Sequence, residues 1–220
     1  MQLLRLLHLV SPTLPVGAFA YSQGIEWAEE AGWVRTAEDV QDWLRDQLDN
    51  SLARLDLPLL VRMWGAARAG DPQAMARWID WLLAARESAE LRAEETNRGR
   101  ALADLLVKLE LTGSESWKSD LAKTQLAGFA FAACAWEIPA GDAALGYAWG
   151  WLENLVLAAV KIIPLGQTRG QQVLRQLLGE IPAAVEEALS LPDEEIGASS
   201  PALAIASSAH ETQYTRLFRS

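Results

Sequence analysis

Two histidines and one cysteine limit the side-chain chemistry open to this 220-residue chain. His210 is followed by Glu211, the opening of a zinc-protease HExxH pattern, but Tyr214 stands where the second histidine belongs, which excludes that site. His8 lies in the apolar run MQLLRLLHLV (residues 1–10) and reads as a core histidine. Cys134 lies in an uncharged stretch and reads as a buried free thiol. With no second cysteine, no intrachain disulfide forms, and a reducing cytoplasm is the expected compartment. One Cys and two His are too few to close a soft-metal site in one chain, so no tightly bound cofactor is expected. Nucleotide motifs are missing too: there is no GxxxxGK[ST] and no GxGxxG after a strand. Glu94 and Glu95 sit in RESAELRAEETNRGR (residues 86–100), where alternating charges predict a solvated helix face in preference to a carboxylate metal site. Glu153 and Lys161 resist so plain a reading. They interrupt an apolar segment two helical turns apart on broadly one side, and burying either charge alone is costly. They are expected to pair with other charges, snorkel, or line a polar cavity.

The elements that must position these residues are helical. Half of the chain is hydrophobic, enough for a sizeable core. The net charge of −10 and pI near 4.7 argue against nucleic acid and against an anionic membrane surface. The run at residues 1–10 meets Pro12 and Pro15 without a cleavage site, so it predicts a short buried helix and not a signal peptide. Residues 145–163 contain Glu153 and Lys161 and predict the central helix of a bundle, not a membrane span; Gly146 and Gly150 make a GxxxG pattern common by chance in Ala-rich helices. Helices are further expected near residues 22–31, from a Thr36/Asp39 capping box onward, after Asp71-Pro72, over residues 88–110, 124–136, 171–178 and 182–189, with a loop at Gly113 and its neighbouring serines. Alternating β-branched runs and Asn-Gly hairpins are absent. The ten tryptophans are expected mostly to fill core, some to serve interfaces. The fold class is therefore all-α: a single-domain helical bundle of about eight to ten helices, residues 1–197, followed by a C-terminal docking tail, residues 198–220. The Leu217-Phe218 pair in that tail suggests docking, on this chain or another.

Several stretches resemble, in order, the urease accessory protein UreF family: LPVGAFAYSQGIE with WAEEAGWV (residues 14–34), RESAELRAEETNRG (residues 86–99), VKIIPLGQ (residues 160–167) and AIASSAHETQYTRLFRS (residues 204–220). Together they span essentially the whole chain. The resemblance implies an all-α, non-enzymatic scaffold that dimerises and binds UreD (also called UreH) and the GTPase UreG. The assembly docks on apo-urease, and GTP hydrolysis drives nickel insertion; nickel passes through the complex as cargo. By match, the partner-binding candidates are Phe19, Tyr21, Glu26, Lys161, His210, Glu211, Tyr214, Arg216 and Phe218. Phe19 stands where some relatives carry tyrosine, so a role needing that hydroxyl is not available to it. The alternative is a GTPase-activating protein that supplies Arg216 or Lys161 to UreG, since a cationic finger stabilises charge on a transferring phosphoryl group. The tail, residues 202–220, is expected to be mobile in the free protein and ordered by UreD.

Overall fold

Caps written in the sequence fix the starts of five helices. Thr36 and Asp39 form the reciprocal capping box that opens a helix at Ala37. Asp71 accepts from the backbone of Gln73 and Ala74 ahead of Pro72. Ser88, Thr124 and Ser200 each accept a backbone N–H three residues on. The computed structural model describes all 220 residues. Its helices are α1 (Gln2–Leu9), α2 (Ile25–Glu30), α3 (Ala37–Gln47), α4 (Leu57–Ala69), α5 (Pro72–Ala85), α6 (Ala89–Lys108), α7 (Ser114–Leu121), α8 (Gln125–Ala135), α9 (Ala140–Ile162), α10 (Gln167–Leu178), α11 (Ile181–Ser190) and α12 (Pro201–His210). No strand is present.

A π-helical stretch, Leu48–Asp56, joins α3 to α4 in one unbroken run. Pro58 has no N–H, so the Arg54 carbonyl loses the donor that an α-helix would bring to it. The Gly197 N–H fills that vacancy at 2.9 Å. The chain that leads into α12 is thereby stitched to the middle of the bundle.

Uncharged α8 sits at the centre, with residues 126–133 all buried between α4, α6, α7 and α9. Such a helix has no polar face to offer water, so only burial on every side suits it. Gly99 makes one of these contacts possible: a Cβ there would lie 2.7 Å from the Thr124 backbone, where α6 crosses the start of α8. Helix α9 is long and apolar enough to cross a membrane, and half of its most apolar window is buried. It packs against α4, α8, α10 and α11 as the expected central helix.

Five expectations are corrected. Helix α1 is not buried: Leu3, Leu4 and Leu7 are exposed, and only Leu9 reaches the interior, while Leu6 packs on Gly146 of the GxxxG pair. His8 is exposed beside Trp136 and is no core residue. The expected loop after Gly113 is helix α7, because Leu121 and Trp117 find core neighbours there. Among the tryptophans only Trp43 and Trp78 are buried; Trp27, Trp64, Trp117, Trp136, Trp149 and Trp151 line the edge of the core, where a large ring with one N–H donor is easier to satisfy, and Trp33 and Trp81 are exposed. Cys134 is half-buried, and burial pushes its thiol pKa up.

Candidate functional site

The matched residues from the two ends of the chain meet on one face. Helix α2 delivers Glu26, which is 9% exposed. The N-terminal half of α6 delivers Glu90, one turn before Glu94. Helix α12 ends at His210, which is fully buried. After it the chain turns back along α2. Leu217 and Phe218 donate their backbone N–H groups to the two oxygens of Glu26, at 2.5 and 2.8 Å. His210 lies between the carboxylates, with Nε2 3.2 Å from Glu26 and Nδ1 2.7 Å from Glu90. Arg216 donates to the other oxygen of Glu90 at 2.8 Å. Because the two carboxylates approach opposite nitrogens of the ring, they do not form one ligand set around an ion, and no group of His, Cys, Asp and Glu in the chain is placed to hold a metal.

Further bonds extend this clasp. The Ser22 N–H and hydroxyl both donate to the Ser220 carbonyl at 2.6 Å. The Arg219 N–H donates to the Ala20 carbonyl. Glu211 accepts the N–H of Ala89, at the start of α6. Phe218 is buried, with the Lys161 ammonium 5.9 Å from its ring centre. In the structure residues 202–220 are folded onto α2 and α6. The two backbone N–H groups donated to the Glu26 carboxylate are charge-assisted hydrogen bonds that tie residues 217 and 218 to α2.

Of the nine candidates, Tyr21, Glu26, His210 and Phe218 are buried in the clasp. Glu211 and Arg216 are spent on it with their heads outward. Tyr214 makes no contact that hides it and is fully exposed; Phe19 and Leu217 are each 68% exposed. Lys161 makes no ion pair and is exposed near the same edge. It shares with Glu153, Phe19 and Asn154 a cavity of about 140 Å³ between α9 and the segment before α2. Burial raises the Glu153 carboxyl pKa.

Behind the clasp lies a charge network that the sequence reading missed. Glu94 and Glu95 are buried, not solvated. Arg86 bridges Asp56 of the π-helical stretch and Glu95, the latter at 2.6 Å, and Arg98 pairs with Glu94 at 2.5 Å. Burial raises the Asp56 pKa, although Arg86 opposes it. Burial works against the charge on Arg86, yet Asp56 and Glu95 hold its proton above the ordinary arginine range. The Tyr147 phenol beside them is pushed well up, first by burial and then by the two carboxylates. Glu94 also accepts from Gln23 and from the Ser220 hydroxyl, which links the network to the clasp. One signal was available. Leu91, Glu94/Glu95, Arg98/Gly99, Leu102 and Leu106 fall on one helical stripe, so the apolar period of α6 runs straight through the charges.

Comparison with known proteins bears on this face. The sequence model of the UreF family matches residues 34–178. The chain belongs to the UreF family. Urease accessory protein UreF of Pseudomonas putida is 52% identical over 218 residues, covering 99% of this chain and 97% of the relative. Those of Alcanivorax borkumensis and Alkalilimnicola ehrlichii are 50% and 47% identical over 223 and 216 residues, each covering 98% of this chain and 97% and 95% of the relative. The family model ends before α11, so the P. putida relative, which covers 99% of the chain, is what extends the likeness across the clasp.

Proposed function

We propose that this chain is a non-enzymatic scaffold of urease maturation, which joins UreD and the GTPase UreG to apo-urease for GTP-dependent nickel insertion. The observation that carries the reading is the division of labour in the clasp. Glu26, His210 and Phe218 spend their polar and apolar groups on holding the C-terminal segment down, and that leaves Phe19, Tyr214 and Leu217 exposed on the outside. Large side chains held outward by a rigid support make good anchors, because little ordering entropy remains to be lost on binding. We assign this face to UreD. The protein works as a homodimer in the cytoplasm, and the exposed leucines of α1 are a second apolar surface available for assembly.

The test uses Tyr214→Ala with Leu217→Ala. Neither side chain supports the fold, so the melting temperature should not move, while capture of UreD and urease activation in cells should fall at least tenfold. Unchanged capture overturns the assignment. Light scattering should give twice the 24.1 kDa of one chain; a monomer at micromolar concentration rejects the dimer.

A second reading has one observation in its favour. Arg216 is committed to Glu90, but Lys161 has no carboxylate partner. If the chain activates the GTPase through a cation, Lys161 is the residue free to do so. Lys161→Ala would then abolish stimulation of UreG hydrolysis without loss of UreD capture.

A further inference from the structure

Glu153 of α9 has been taken half out of water and given no partner in return. No donor or cation reaches its carboxylate, and burial alone shifts it. Such a group works against the fold, and sequences break rules of this kind where a site needs them broken. Glu153 lines the cavity of about 140 Å³ between α9 and the segment before α2. The walls around it are mainly apolar: Leu9 and Val16 from the N-terminal segment, Phe129 from α8, Leu157 and Ala158 from α9. Gly146 and Gly150 set one wall. A Cβ on them would stand 2.6 Å from Leu6 and 3.6 Å from Val10, so the chain after α1 is seated directly on α9 and the space is preformed. Its volume is close to the roughly 150 Å³ that takes up one benzene. It admits the stem of one side chain and little else.

The charges around the cavity decide what that stem must carry. Lys161 is about 12 Å from Glu153 along the helix and is exposed, so water satisfies it. Arg98 reaches the cavity from α6, but Glu94 holds its guanidinium at 2.5 Å. Asn154 donates to the Tyr21 carbonyl at 3.4 Å, which leaves its amide oxygen to accept. What is unmatched is a carboxylate, with a second acceptor next to it, on an apolar wall. An apolar stem that ends in a cation matches both. The place of the cavity says where such a group comes from. Phe19 lines it and is 68% exposed, and Lys161 joins it to Phe218 of the clasp. A protein docked on the clasp face therefore lies beside it. We propose that the cavity receives one lysine or arginine side chain of that protein, with the stem against Leu157 and Ala158 and the cation on Glu153. The identity of the donor chain rests on the docking reading above.

Two measurements on the full-length protein test this. In the first, n-pentylammonium and n-pentanol are titrated while the methyl resonances of Val16, Leu157 and Ala158 are followed. The cation should bind about tenfold more tightly than the alcohol, as for one partly desolvated charge pair, and Glu153→Gln should bring the two together. Equal binding to the wild type, or none, overturns the proposal. In the second, capture of UreD by Glu153→Gln is compared with capture by the Tyr214→Ala/Leu217→Ala variant. Glu153→Gln keeps the shape of the side chain and relieves a burial cost, so its melting temperature should not fall. Loss of capture in both variants supports the site and the face. Loss in the double variant alone overturns the site and leaves the face standing. Loss in Glu153→Gln alone supports the site and overturns the face, and loss in neither overturns both.

Discussion

Replacing Arg86 by methionine removes the cation that two buried carboxylates share. The Asp56 and Glu95 side chains are 6% and 8% exposed, and Arg86 itself is 11% exposed. Methionine keeps most of the volume, so the loss is electrostatic rather than a cavity. Breaking a buried ion pair by taking away one partner costs about 3–5 kcal/mol. With a urea m-value of roughly 2–3 kcal/mol/M for a chain of this kind, the denaturation midpoint at pH 7 should drop by about 1.5 M. The effect should depend on pH with a definite sign. Without Arg86, nothing opposes the burial that already raises the Asp56 carboxyl in the folded state, so the folded state binds more protons than the unfolded state does. The penalty is then full at neutral pH and shrinks as pH falls through the raised folded value of Asp56, so the shift at pH 5 should be smaller than at pH 7. Wild-type Asp56, already raised by burial, contributes with the same sign and less weight. Circular dichroism at 222 nm during urea titration measures both midpoints. Asp56→Leu/Arg86→Met/Glu95→Met should regain most of the loss, since an apolar replacement of a buried ionic group is often neutral. A cost below about 1 kcal/mol at pH 7, or one that grows on acidification, refutes the reasoning.

Gly99→Ala should cost roughly 1–3 kcal/mol, because its Cβ would meet the Thr124 backbone at 2.7 Å and backbone cannot step aside. Gly65→Ala, exposed within α4 with nothing near its Cβ, should instead stabilise by about 0.5–1 kcal/mol; thermal melts of the pair check both signs. Thr36→Ala removes one half of the capping box of α3 and should cost about 1 kcal/mol by urea titration. Glu153→Gln relieves a half-buried carboxylate that burial alone perturbs, so the melting temperature should rise slightly at pH 7. That gain should vanish as pH falls into the carboxyl range, where the wild-type group is protonated.

Local chemistry made much of the fold legible. The capping box at Thr36, the Asp71-Pro72 start, the left-handed Gly70 that ends α4 and the charge-free α8 are properties of a few neighbouring residues, and each has one physical solution. Helix α7 was missed because its apolar residues, Trp117 and Leu121, are too few to show a period. Helix α1 was misjudged because an apolar run does not say which surface it meets. For the site, residue types named the right participants but not their partners. Glu94 and Glu95 read as solvated because nothing within their own helix announces Arg86 or Asp56, which lies in the π-helical stretch thirty residues before Arg86. The C-terminal segment read as loose because backbone N–H groups leave no mark in a sequence. Only the crossing of α2, α6 and α12 places Glu26 where it accepts two of those groups and the ring of His210. Helix periodicity is a short-range property that each stretch of sequence determines for itself. Whether a charge is solvated or clasped depends on which distant element arrives beside it, and that was decided only when the core closed.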